Sequence, residues 1–192
     1  MNLPNKLTVA RILLVPFFVA ALLIDFPLNN LAAQALFGAA SITDLLDGKI
    51  ARKHGLITDF GKFADPLADK ILVISALLCF VQLGLCDCVA VIIVLFREFT
   101  VTSIRLIAAS KGKVIAANIW GKVKTVTQMV AVITIIVLRA AQEILIMLSL
   151  TPAWLDGALF ITGEVLVWIS TFFAILSGVI YIKQNYHFIS DK

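Results

Sequence analysis

Apolar runs of spanning length occur six times in this chain, at residues 8–26, 30–53, 63–84, 88–110, 121–142 and 158–183, mostly with short connections between them. A helix rises 1.5 Å per residue, so about twenty apolar residues match the roughly 30 Å hydrocarbon core of a bilayer. Inside that core every backbone N–H and C=O must be satisfied within the segment, which leaves helices for runs of this length. The expected fold is all-α: a polytopic membrane protein, a bundle of six transmembrane helices forming one membrane-embedded domain over 1–192. Composition agrees, since 61% hydrophobic residues and a mean hydropathy of +1.03 exceed the roughly half-apolar make-up of soluble domains. The clusters DFPLNN, LGLCD and TPAWLDG read as turns. No small-x-small cleavage site follows the first run, so it reads as a span and not as a removable signal.

Lysine and arginine choose the orientation. With the N-terminus in the cytoplasm and each run crossing once, fifteen of the sixteen Lys and Arg residues fall at cytoplasmic ends, and only Arg139 falls at the other. An odd number of spans would scatter that pattern. Both termini are then cytoplasmic, and the protein is integral to the cytoplasmic (inner) membrane. The net charge of +4 is therefore a topology signal and calls for no nucleic acid. Cys79, Cys86 and Cys88 have neither zinc spacing nor a disulfide framework, and all three read as apolar filler.

Against this background residues 44–69, DLLDGKIARKHGLITDFGKFADPLAD, hold Asp44, Asp47, Asp65 and Asp69, four of the chain's twelve acids. Asp44 and Asp47 are spaced i, i+3 near the end of the second run; Asp65 and Asp69 are spaced i, i+4 near the start of the third. Each pair shares a helix face, and the two faces can meet across a short turn at the cytoplasmic rim. Two carboxylates 4 Å apart repel by about 4 kcal/mol at an effective dielectric near 20. An acid within a membrane helix costs roughly a further 2.5–3.5 kcal/mol. Divalent cations offset both. An oxygen donor set with no His or Cys nearby points to Mg²⁺, Mn²⁺ or Ca²⁺ and away from zinc, and two ions would balance four carboxylates. Taken singly, Asp65 before Pro66 also fits a helix N-cap; the four together favour the metal.

Gly48 and Ala51 follow the first pair on the same helix, and Gly61 precedes Asp65 by four. Positions without bulk let a ligand approach the backbone. Arg52 puts a cation where a phosphate would lie beside the ions. Ordinary packing, a turn and positive-inside charge are the plainer readings of these four residues. Together with metals they describe a site for a phosphoanhydride.

These residues resemble a known family. Asp44-x-x-Asp47-Gly48-x-x-Ala51-Arg52, eight residues, then Gly61-x-x-x-Asp65-x-x-x-Asp69 is similar to the complete signature of the CDP-alcohol phosphatidyltransferases. NLPNKLTVAR, REFTVTSIR and GKVKT resemble the branch of that family that makes phosphatidylglycerophosphate, while residues 140–192 share only hydropathy with it. The resemblance implies transfer of a phosphatidyl group from CDP-diacylglycerol to sn-glycerol 3-phosphate with release of CMP, at an active site facing the cytoplasm. It implies Mg²⁺ or Mn²⁺, two ions, held by Asp44, Asp47 and Asp65. Asp69, also in contact with the metal site, is the general base. Gly48, Ala51, Arg52 and Gly61 line the cytidine diphosphate pocket, and the enzyme is a homodimer. NLPNKLT resembles a short N-terminal interfacial segment ahead of the first span, where Asn5 and Thr8 contact the nucleotide; capping of the first helix is their plainer reading.

An acceptor carrying its own phosphate needs a second basic site. Arg97 and Arg105 are about two helical turns apart and share a face, and Lys122 and Lys124 straddle the start of the fifth run. Positive-inside topology alone accounts for some of them. Glu98 reads as the ion-pair partner of a neighbouring cation. A basic pocket favours an anionic acceptor over serine, choline or ethanolamine and leaves inositol phosphate open. His54 and His187 read as solvated or interfacial, and without a Ser–His or Cys–His pair direct displacement is favoured over a covalent intermediate. Trp120, Trp154 and Trp168 read as interface anchors or packing.

Two rival classes fare less well. A divalent-cation transporter needs polar groups at mid-membrane depth, whereas these acids cluster at one end. An intramembrane prenyltransferase also binds a diphosphate through aspartates and Mg²⁺, but its motifs lack the Gly–Ala–Arg run. Within the resembled family, synthesis of phosphatidylinositol phosphate, phosphatidylserine or cardiolipin is the alternative.

Overall fold

The computed structural model describes residues 2–54, 58–113, 115 and 118–186; the side chains at 3, 4, 45–54, 59, 62 and 63 lie outside the description. Its elements are six helices: α1 Leu3–Leu23, α2 Asn29–His54, α3 Asp59–Gln82, α4 Cys88–Ser110, α5 Ile119–Met147 and α6 Leu155–Asn185. Each apolar run of the sequence falls on one of them. Three stretches, Asn5–Leu23, Ile119–Met147 and Leu155–Asn185, are long and apolar enough to cross a membrane by length and composition. The other three helices carry charged residues inside their ends, Asp44 to Lys53 in α2, Asp59 to Lys70 in α3, and Arg97 to Arg105 in α4.

Short polar side chains start the helices where the sequence offers them. Thr58 accepts from the Gly61 N–H at 3.0 Å, Asp87 from Val89 at 2.9 Å and Asn118 from Gly121 at 2.8 Å, each satisfying an orphan amide of a first turn. The N-cap of α3 is therefore Thr58, and Asp65 with Pro66 lies within that helix. Helix α1 follows Asn2, whose side chain makes no capping bond, and runs unbroken from Leu3. Asn5 and Thr8 do not cap it, and LPNKLT forms its opening turns.

Helix α1 packs against both α2 and α3, α5 against α6 and α2, and α4 against α6. The shared core is apolar: Phe18 of α1 meets Phe37 of α2 with ring centroids 5.6 Å apart, and Leu77, Phe80, Val91, Val94, Ile135 and Val167 join them. A second, smaller cluster of Val101, Ile104 and Tyr181 ties α4 to α6. At the far end of the bundle Glu143 of α5 accepts the Asn30 N–H at 2.9 Å, a carboxylate on the N-terminus of α2. Outward faces are also apolar, with Phe17, Phe96, Phe99, Val126 and Phe172 more than half exposed. Helices apolar on every side belong in lipid. Among the cysteines, Cys79 and Cys86 are buried as filler, but Cys88, at the first turn of α4, is exposed and fills no core.

Candidate active site

Asn5, Thr8 and Arg11 recur every three residues, which lines them up along one face of α1. All three are buried, Thr8 and Arg11 completely, because that face lies on α2 and α3. Asn5 Oδ1 accepts from the Thr58 hydroxyl at 2.9 Å, and Thr58 in turn caps α3. The Thr8 hydroxyl donates to Asp65 Oδ1 at 2.6 Å. Arg11 Nη1 contacts Asp44 Oδ1 at 2.9 Å and Asp69 Oδ1 at 2.7 Å. Three of the four signature carboxylates, from two helices, are thus gathered by one face of a third.

Gly61 fits the same junction. A Cβ placed there would stand 3.3 Å from Asn5 Oδ1, 3.3 Å from Thr58 Oγ1 and 3.6 Å from Asp65 Oδ2, so a side chain would crowd the polar lining. The backbone at Asp47, Gly48, Ala51 and Arg52 continues α2, and the side chains of these residues and of His54 lie outside the description; His187 lies outside it altogether. Among the described residues no three His, Cys, Asp or Glu side chains converge on one point, and the Asp47 side chain is not among them. The donors present do fit a hard divalent cation. Asp44 and Asp69 already share one positive group, the Arg11 guanidinium, and both keep part of their side chains exposed, 41% and 51%. Arg11 was legible in the sequence only as positive-inside charge. Its three-residue spacing from Asn5 and Thr8 is the signal that marks it.

The basic groups beyond the signature divide into two. Arg97 Nη1 and Lys124 Nζ both donate to Glu98 Oε1, at 2.8 and 2.5 Å. Lys70 Nζ lies 3.7 Å from Glu98 Oε2 and donates to Thr102 at 2.6 Å. Arg97 Nε also donates to Ser177 of α6 at 3.1 Å. Arg105 instead meets Tyr181 of α6, its Nε 3.2 Å from the phenol oxygen and its guanidinium 5.5 Å from the ring centre. Both arginines face α6, as their spacing implies. The two lysines part company: Lys124 is buried beside Glu98, and Lys122 is exposed. Glu98 has the cationic partners expected of it. Lys70, Ser177 and Tyr181 were not marked by the sequence reading. Within residues 140–192, which offered only hydropathy, Ser177 and Tyr181 of α6 hold the two arginines.

Comparison with known proteins points one way. The sequence model of the CDP-alcohol phosphatidyltransferase family matches residues 1–176. The CDP-diacylglycerol–glycerol-3-phosphate 3-phosphatidyltransferase of Bacillus subtilis (strain 168) is 40% identical, over 96% of this chain and 95% of its own. The protein of that name in Rickettsia bellii (strain RML369-C) is 37% identical, over 95% of this chain and 94% of its own. A cardiolipin synthase (CMP-forming) of Oryza sativa subsp. japonica is 35% identical over 96% of this chain, yet that match spans only 57% of the rice protein.

Proposed function

This chain belongs to the CDP-alcohol phosphatidyltransferase family and has CDP-diacylglycerol–glycerol-3-phosphate 3-phosphatidyltransferase activity, and from that premise we propose how its residues divide the work. Asp44, Asp47 and Asp65 hold the divalent ions, with Asp69 at the edge of the same set. Two Mg²⁺ or Mn²⁺ ions held there would supply charge neutralisation to the diphosphate and the leaving CMP. Gly48, Ala51, Arg52 and Gly61 line the cytidine diphosphate pocket, with Asn5 and Thr8 at its margin.

Asp69 takes the proton from the glycerol 3-phosphate hydroxyl as its oxygen attacks the phosphorus on the lipid side of the anhydride. The new P–O bond forms, the bond to the CMP oxygen breaks, and phosphatidylglycerophosphate and CMP result. An ionised carboxylate one helical turn beyond a metal ligand is well placed for this role, since a general base must lie within hydrogen-bond reach of the proton it removes. Arg97, Arg105, Lys122 and Lys124 form the acceptor-phosphate pocket. Within it Arg97 and Lys124 make the buried floor, Arg105 a second positive group further along α4, and exposed Lys122 the mouth.

The observation that carries this reading is the gathering of Asp44, Asp65 and Asp69 by Thr8 and Arg11. All six helices span the membrane in this reading, with both termini and the acid-rich rim cytoplasmic and the chain acting as a single domain in a homodimer. The test is CMP release by purified protein in detergent, supplied with CDP-diacylglycerol, Mg²⁺ and one acceptor. Glycerol 3-phosphate supports turnover, whereas serine and inositol phosphate do not, and chelation of the metal stops the reaction. Equal rates with all three acceptors would overturn the acceptor assignment.

A further inference from the structure

We propose that Glu98 is a specificity-determining residue that ties Arg97, Lys124 and Lys70 into a pocket matched to a phosphate monoester. The inference rests on the acceptor pocket proposed above and deepens it. Glu98 is one carboxylate facing cations from three helices: Lys70 of α3, Arg97 of α4 and Lys124 of α5. Around Glu98 itself three cations and one carboxylate leave two positive charges in excess; Arg105, on Tyr181, and solvent-exposed Lys122 lie outside this group. A phosphate monoester carries about −1.5 to −2 at pH 7, which closes that balance; a phosphodiester, with one negative charge, or an uncharged alcohol does not. The match matters because the centre of the group is largely dehydrated, with side-chain exposures of 11% for Arg97, 13% for Glu98 and 5% for Lys124, while Lys70 at its edge is 37% exposed. Unbalanced charge in such surroundings is costly.

Geometry adds to charge. Arg97 and Lys124 converge on the same oxygen, Oε1, so the carboxylate sets their separation as well as neutralising part of their repulsion. Arg97 is fixed from behind, since Ser177 accepts from its Nε and Gly178 lies so close that a Cβ there would stand 3.1 Å from Arg97 Cγ. Lys124 gives one of its three hydrogens to Glu98 and has others to offer a phosphate.

The experiment compares wild type, Glu98→Gln, Glu98→Asp and Lys124→Gln in the CMP-release assay, each acceptor and donor varied in turn. Glutamine keeps the shape, loses the charge and presents an NH₂ donor where one cation expects an acceptor. The expected result for Glu98→Gln is a KM for glycerol 3-phosphate raised about tenfold, as for a lost charge-assisted bond, with the KM for CDP-diacylglycerol within about twofold. Glu98→Asp recovers part of the loss. In the wild type, inorganic phosphate competes with glycerol 3-phosphate and dimethyl phosphate does not, which tests the charge match even if Glu98→Gln fails to fold. Both KM values rising together, neither rising, or dimethyl phosphate competing as well as phosphate would each overturn the proposal. If Lys124→Gln raises the KM for glycerol 3-phosphate and Glu98→Gln does not, the inference about Glu98 falls alone. If Lys124→Gln leaves it unchanged, the acceptor pocket falls too.

Discussion

Arg11 and Asp69 are joined at 2.7 Å, and the same guanidinium nitrogen reaches Asp44 at 2.9 Å, so a fully buried cation on α1 serves carboxylates of two other helices. Arg11→Met leaves those carboxylates facing each other. Exposed ion pairs contribute under 1 kcal/mol and truncated buried ones cost 3–5, so with half-exposed aspartates we expect a loss of about 1–3 kcal/mol. Thermal unfolding in detergent checks it. The loss should be large with the metal chelated and small with Mg²⁺ present, because a divalent ion replaces the missing charge. Equal loss in both conditions would mean that Arg11 only packs.

Replacing Asp69 by Asn should reduce turnover by about 10²–10⁴-fold, the usual contribution of a positioned base. Binding of a CDP-diacylglycerol analogue, measured by calorimetry, should fall much less than in Asp44→Asn. Comparable loss of binding in the two variants would make Asp69 chiefly a ligand.

Two glycines of α6 separate stability from catalysis. A Cβ at Gly163 collides with the Leu85 carbonyl oxygen in the α3–α4 turn, so Gly163→Ala should destabilise the protein by about 1–3 kcal/mol through overpacking. A Cβ at Gly178 presses on Arg97 Cγ, so Gly178→Ala should raise the KM for glycerol 3-phosphate. Unfolding curves and acceptor titrations on the same two preparations distinguish them.

Cys88 reports sidedness. It is exposed, whereas Cys79 and Cys86 are buried, and burial, helped by the charges of Glu164 and Asp87, pushes the Cys86 thiol up to about 12. Maleimide reacts with the thiolate. A raised pKa keeps Cys86 protonated at every pH below that value, so it stays silent at pH 7–8. A membrane-impermeant maleimide should therefore label intact cells at Cys88 alone, and Cys88→Ser should abolish the signal. Labelling only after the cytoplasmic face is opened would reverse the topology.

Hydropathy made the six helices legible because each falls on a long apolar run, three of them long and apolar enough to cross a membrane, and the boundaries moved only by a few residues at caps such as Thr58. The acid pairs were legible because i, i+3 and i, i+4 spacing is a local matter. What α1 brings was not, since Thr8 and Arg11 act on residues 57 and 58 positions away. Lys122 and Lys124 show the same limit from the other side: two residues apart, they share a composition and a helix end, but only the second turns toward Glu98. Tyr181 and Ser177 stood in a stretch with no polar pattern, and their roles depend on the packing of α6 against α4.

Asp69 and Lys70 are consecutive on α3, about 100° apart around its axis, one turned to Arg11 and the other to Glu98 and Thr102. With the roles proposed above, the helix is an axle between donor and acceptor: any twist that withdraws one hand also withdraws the other. On the proposed division of roles, alignment between the incoming hydroxyl and its phosphorus is held by the torsional stiffness of one residue step of helix, with no hinge or loop between the two grips.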